Sequence, residues 1–393
     1  MKAIIQHTPL LLLAALFCAV SCVYPFEIET EGEGGARVIQ GDILIGEYST
    51  VRISESGPVS MPLSVEPVHA DVSIVDDRGI AYTPQKFNSD GYIIDTRNAD
   101  PDRLYKLRVE TYDNKTYESP LQPVNKPAVI DSLSYIIDKE RNRMDIAISV
   151  HSGNNSYFKW SFVEDWEYRA LMEAKYIYIP PGITGFAFGY PTTDGPGTIV
   201  RATPENQTYR CWSHNESKNI MLFSTENQTD DRFVDLDFFT INRFDRRISY
   251  IYRIAVQVET LTKDAYKYWE TVMNNSDFTG SLFSPNPSEV LGNITCLEDP
   301  SEMVYGYISV AQRSSSTLYV LDSVTGFFDD KEGYNTERKQ VSDWFSAYRY
   351  EALRPYDGSD PWNLYSIEWV NKKCVDCTVF GGSNTRRPAD WPY

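Results

Sequence analysis

Carboxylates are the residues of this chain best placed to do chemistry, and they gather at Glu164-Asp165 and at Asp230-Asp231 with Asp235 and Asp237. Two such groups flanking one bond could serve as general acid and as base or nucleophile in glycoside hydrolysis. Composition weakens that reading, because 55 of the 393 residues are Asp or Glu and chance neighbours are expected. Past residue 21 the histidines are His69, His151 and His214, far apart in sequence. There is no HExxH, no GxSxG elbow, no Walker loop and no GxGxxG after a strand. Asp329-Asp330-Lys331-Glu332-Gly333 lacks the alternate oxygen ligands of a calcium loop. The expectation is a protein that is not an enzyme, with no cofactor and no metal.

Cysteine chemistry is the other option. Of 6 cysteines, Cys18 and Cys22 lie in the N-terminal leader, leaving Cys211, Cys296, Cys374 and Cys377 as disulfide candidates. Four cysteines allow three pairings. The expected pairs are Cys374–Cys377 and Cys211–Cys296. Zinc would need a second CxxC-like pair, and a redox CxxC should open a helix in a βαβ unit. Here the motif follows strand-like residues 365–370 and precedes a Gly-Gly turn.

Aromatic side chains are abundant, with 27 Tyr, 18 Phe and 8 Trp. Tyrosine offers a flat apolar face and a hydroxyl at low entropy cost, which suits ligand surfaces as well as β cores. Among loop-like positions, Tyr190, Tyr209, Trp212, Tyr356 and Trp362 are the ligand-binding candidates. Trp269 could serve as a sugar-stacking platform, but it falls on a helical apolar stripe and reads as core.

The elements that must position these groups are mostly strands. Tyr105-Lys106-Leu107-Arg108-Val109-Glu110-Thr111 alternates apolar with charged residues, the pattern of a half-buried strand. Asp113-Asn114-Lys115 is a turn, and further short strands are expected at residues 72–75 and 91–94. Residues 37–126 therefore predict an immunoglobulin-like N-terminal β-sandwich acting as a spacer. Pro120, Pro123 and Pro127 mark its end. Residues 127–393 predict a larger β-sandwich-like domain with strands at 129–137, 144–150, 157–163 and 250–261. A polar stretch at 164–168 and long loops at 176–218 complete this part. One helix is expected around 262–273, with Thr262 as N-cap and Leu261, Ala265, Tyr268, Trp269 and Val272 on its apolar face. The fold class is mainly β with one or two helices.

The leader decides the address. Lys2 precedes an apolar run over residues 10–20, the length of a signal-peptide core and too short to span a bilayer. Small residues lead to Cys22, and Leu16-Phe17-Cys18-Ala19-Val20-Ser21-Cys22 resembles the lipobox of bacterial lipoproteins. That resemblance implies cleavage after residue 21 and acylation of Cys22 with palmitate-type chains. Residues 22–36 carry Glu27, Glu29, Glu31 and Glu33 and predict a flexible tether. The net charge of −18 argues against nucleic acid or bare anionic lipid as partner.

Several ordered motifs carry a wider likeness. They are Lys126-Pro127-Ala128-Val129-Ile130-Asp131-Ser132, Tyr266-Lys267-Tyr268-Trp269, Pro287-Ser288-Glu289-Val290-Leu291-Gly292-Asn293-Ile294 and Val304-Tyr305-Gly306-Tyr307-Ile308. Cys374-Val375-Asp376-Cys377 and Gly381-Gly382-Ser383-Asn384-Thr385-Arg386-Arg387-Pro388 follow. Together they resemble a family of outer-membrane lipoproteins with a domain of unknown function, commonly encoded beside TonB-dependent receptors. The likeness implies a lipid-anchored, surface-facing accessory or ligand-binding protein, with such a receptor or another β-barrel as partner. It brings no catalytic residues. The alternatives are a surface hydrolase of glycans or peptides and an outer-membrane assembly factor that binds no ligand.

Overall fold

The computed structural model describes residues 36–56, 68–89, 91–153, 157–179, 183–187, 190–193, 198–228, 230–277, 292–330, 334, 336–337, 339–340, 353–358 and 367–392. The expected signal peptide, Cys22, the tether up to residue 35, and Trp362 lie outside the described residues.

Nine strands come first: β1 (Arg37–Leu44), β2 (Tyr48–Glu55), β3 (Ala70–Asp76), β4 (Ala81–Tyr82), β5 (Pro84–Asn88), β6 (Gly91–Asp95), β7 (Leu104–Thr111), β8 (Thr116–Glu118) and β9 (Gln122–Pro123). The alternation read in β7 holds, and Tyr105, Leu107 and Val109 are buried while Lys106, Arg108 and Glu110 are not. Asn114 takes the left-handed conformation, φ 61°, in the turn between β7 and β8. An asparagine tolerates that conformation where β-branched residues do not.

The chain continues with β10 (Val129–Asp138), β11 (Arg143–His151), β12 (Tyr157–Arg169), β13 (Tyr176–Ile179), β14 (Ile183–Ala187), β15 (Tyr190–Thr193), β16 (Thr198–Arg201), β17 (Arg210–Glu216), β18 (Met221–Ser224), β19 (Arg232–Asn242) and β20 (Ile251–Thr260). Two expectations change here. Residues 164–168 continue β12, because buried ion pairs replace the apolar alternation that marks a strand in sequence. Residues 176–218 hold five strands where long loops were expected; β13 pairs with β16 and β14 with β15, hairpins too short to establish a period. Helix α1 (Lys263–Asp277) follows β20. Thr262 Oγ1 accepts the Ala265 N–H at 3.2 Å, the expected N-cap.

After α1 come β21 (Thr295–Cys296), β22 (Val304–Tyr305), β23 (Ile308–Ala311), β24 (Arg313–Leu321), β25 (Lys339–Gln340), β26 (Leu353–Gly358) and β27 (Ile367–Asn371). The expected boundary at 126/127 is too simple. β22 and β23 pair in parallel with β1, and β21 pairs with β8. One sheet of the first sandwich runs β22-β1-β2-β6-β5 with β23 beside β1, and the other runs β21-β8-β7-β3-β4 with β9 beside β7. Ile294, Cys296, Val304, Ile308 and Val310 share its core with Ile39, Ile74 and Leu107. Residues 37–126 thus close their core only with a segment from far along the chain.

Close packing of glycines permits that return. A Cβ on Gly306, whose φ is 117°, would lie 1.8 Å from the Ile39 carbonyl oxygen, and one on Gly292 would lie 1.6 Å from the Gly306 oxygen. Asn293 completes the join: its Oδ1 accepts the Ile308 N–H at 2.9 Å and its Nδ2 donates to the Ile308 carbonyl at 2.8 Å. Gly292-Asn293 is thus a packing and pairing device.

In the second sandwich, the sheet β10-β11-β19 faces the sheet β17-β12-β20-β24, with β18 also on β12. Between them lie Ile146, Ile148, Phe158, Trp160, Tyr252, Ile254, Val256 and Val258. Among the described residues no helix is long and apolar enough to cross a membrane.

Candidate functional site

Strand β12 presents two different faces. Phe158, Trp160 and Phe162 point into the core, and by alternation Lys159, Ser161, Val163, Asp165 and Glu167 point outward. Neighbouring strands match this outer face in register, with Glu259, Gln257 and Arg253 on β20 and His214 and Glu216 on β17. It is a polar sheet face, and the protein covers both of its ends.

At one end the first sandwich sits on it. Lys159 Nζ lies 2.8 Å from Asp42 Oδ2 and 3.2 Å from Glu259 Oε2. Ser309 donates its hydroxyl to Asp42 at 2.6 Å or to Glu259 at 2.9 Å. Burial opposes ionisation of Asp42, but the Lys159 ammonium holds its carboxyl below the usual range. Burial, with the Asp42 charge beside it, pushes Glu259 above the usual range despite Lys159. Arg313 joins the lock through Gln257 and Glu47.

At the other end lies the C-terminal tail. Trp391 Nε1 donates to Glu167 Oε2 at 3.0 Å, and Arg253 Nη1 donates to Asp390 Oδ2 at 2.7 Å. Trp391 is buried. Tyr168 receives the Gly382 N–H at 2.7 Å, an approach that a Cβ at Gly382 would block at 2.2 Å.

Between the sandwiches a cleft of 470 Å³ remains open, lined by Asp42, Tyr48, Arg52, Glu216, Trp269 and Arg313 among others. Trp269 is half-buried, with the Lys159 ammonium 4.9 Å from the centre of its ring. Its stripe position on α1 reads as core, but the first sandwich packs beside α1 without covering it. No local period reports where a distant sheet will lie, so sequence reasoning set Trp269 in the core rather than on the wall of a cleft.

The carboxylates proposed for hydrolysis are not brought to one bond. Glu164 and Asp165 occupy opposite faces of β12. Glu164 accepts from Tyr252 at 2.6 Å, Arg247 at 2.8 Å and Asn215 at 2.8 Å. Asp165 accepts from Arg253 Nη2 at 2.7 Å and pairs with His214 Nδ1 at 2.8 Å. That hydrogen bond raises the His214 imidazole above its ordinary value. Asp230, Asp231, Asp235 and Asp237 are exposed on and before the edge strand β19, and Asp235 is tied to Ser149. Asp329 and Asp330 form ion pairs with Arg243 and Arg246, and Lys331, Glu332 and Gly333 lie outside the described residues.

Of the aromatic candidates, Tyr209 lines a separate cleft of 220 Å³ with Tyr176, Tyr178 and Gln207. Trp212 exchanges backbone hydrogen bonds with Ser383, both 2.9 Å, and serves the tail. Tyr190 lies on β15 and Tyr356 on β26, with side chains outside the described residues, and Trp362 is outside them altogether.

The cysteine pairing differs from both expected bonds. Cys211 joins Cys377, with Cα atoms 5.8 Å apart. Cys296 and Cys374 are buried thiols. Cys296 belongs to the first sandwich through β21, so it cannot reach Cys211 on β17. Cys374 lies on the one-turn helix Lys372–Val375 and packs with Val370 and Val375, while Cys377 begins the next turn and packs with Tyr168 and Cys211. Burial pushes both thiols up.

Comparison with curated proteins finds no match. Residues 23–317 match the family described as "Domain of unknown function (DUF4249)", and the chain belongs to that family.

Proposed function

We propose that this is a non-enzymatic, lipid-anchored accessory or ligand-binding protein of the outer membrane, working beside a TonB-dependent transporter in nutrient uptake. The lipobox-like leader supports the anchor and the ordered family motifs support the context. For the molecular role, one observation carries most weight. The buried acids of β12 are each held by arginine, tyrosine, asparagine, histidine or tryptophan partners, while a preformed polar cleft stays open beside them. Carboxylates clamped this way hold structure, whereas a cleft lined by aromatic and polar groups suits a ligand.

Affinity purification of a tagged copy from native membranes tests the reading. Recovery of a TonB-dependent receptor or another β-barrel is expected, and recovery of neither would overturn the accessory role. Hydrolysis of glycans or peptides by the purified body would overturn its non-enzymatic part.

A further inference from the structure

We infer that the cleft between the two sandwiches binds a neutral saccharide, stacked against Trp269. The inference rests on the reading of the protein as a binding protein and adds the site and the ligand class.

Size and rigidity come first. The cleft's 470 Å³ falls within the roughly 300–1,000 Å³ of small-ligand sites. Its walls belong to different sandwiches, yet the Lys159, Asp42, Glu259 and Ser309 network fixes them before any ligand arrives. A site already in place loses little entropy on binding.

The lining supplies the chemistry. Trp269 and Tyr48 offer flat apolar rings, and Tyr48 is 44% exposed with Arg97 stacked 4.4 Å from its ring centre. Sugar rings carry C–H faces that stack on such surfaces and hydroxyls that take mixed donors and acceptors. Both are present here, since Arg52 and Arg313 donate while Asp42, Glu216 and Gln40 bring acceptor oxygens. The ionisable lining is two cations against two carboxylates, so nothing in it selects a charged guest.

The test uses the soluble mature body, with tryptophan fluorescence and calorimetry against maltotriose, cellotriose and mannotriose. Trigalacturonate and trialanine serve as charged and peptide probes. Saturable binding of at least one neutral trisaccharide is expected, weakened at least tenfold by Trp269→Ala and by Tyr48→Ala. The exposed Tyr48 makes its variant the safer for folding, checked by an unchanged melting curve. Binding by none of the neutral sugars, or binding that survives both substitutions, would overturn the inference. Trp269-dependent binding of trialanine or trigalacturonate instead would overturn the saccharide class and leave the binding-protein reading standing. Sugar binding without receptor recovery from membranes would sink only the transporter association.

Discussion

The Lys159 ammonium lies 2.8 Å from the Asp42 carboxylate, and this contact joins the two sandwiches across their polar outer faces. Lys159 Nζ is also 3.2 Å from Glu259, so a single cation serves two carboxylates, of which Glu259 is only 3% exposed. Lys159→Met should therefore leave two acids facing each other without the ammonium that bridges them. Removing one member of a buried pair costs about 3–5 kcal/mol. Denaturant unfolding should show that loss, and a Lys159→Met, Glu259→Gln double variant should recover part of it. A single variant as stable as wild type would mean the contact does not lock the sandwiches.

The first sandwich should not fold from its own contiguous stretch. A fragment spanning residues 36–126 lacks Ile294, Cys296, Val304, Ile308 and Val310, all part of its core. The expected result is poor amide dispersion by NMR and no cooperative melt, improved by adding a peptide of residues 292–311. A well-dispersed spectrum from the fragment alone would contradict this interleaving.

Disulfide mapping gives a sharp chemical outcome. Peptide mapping of the unreduced body lacking Cys22 should recover Cys211 joined to Cys377, with two titratable thiols from Cys296 and Cys374 after denaturation. The bond closes a separation of 166 residues, and in the chain-entropy account a loop of that order stabilises by up to about 5 kcal/mol. Cys211→Ser with Cys377→Ser should thus lower stability by about 3–5 kcal/mol. A Cys374–Cys377 peptide would refute the pairing.

Stability should fall as pH rises through the histidine range. His214 is raised by its hydrogen bond to Asp165, with Glu216 adding to the effect. A raised histidine adds stability that is complete below the unfolded value of about 6.5 and is lost as pH climbs through the folded value. Melting temperatures of His214→Asn should show a flatter profile from about pH 6 to pH 8. An unchanged slope would place the titration elsewhere.

Lipid anchoring is tested by Cys22→Ser. The folded body should appear in the soluble fraction, because each buried acyl CH₂ contributes about 0.8 kcal/mol and no helix among the described residues can substitute. Sedimentation with membranes after a high-salt wash would point to a second anchor.

Local pattern alone determined a good deal. Alternation in Tyr105-Lys106-Leu107-Arg108-Val109 marked a strand with one wet face, Asn114 its turn, and Thr262 the start of α1. These signals are readable because they rest on neighbours a few residues apart. Tertiary structure alone decided the rest. Lys159 meets Asp42 from 117 residues away, Cys211 meets Cys377 across 166, and Gly306 meets Ile39 only because β22 and β23 return to β1. Such contacts depend on which sheets pack, and the spacing of residues along one strand carries no record of that. The same reason separates Glu164 from Asp165: adjacency in sequence suggested one site, and the two-residue period of β12 sent them to opposite faces.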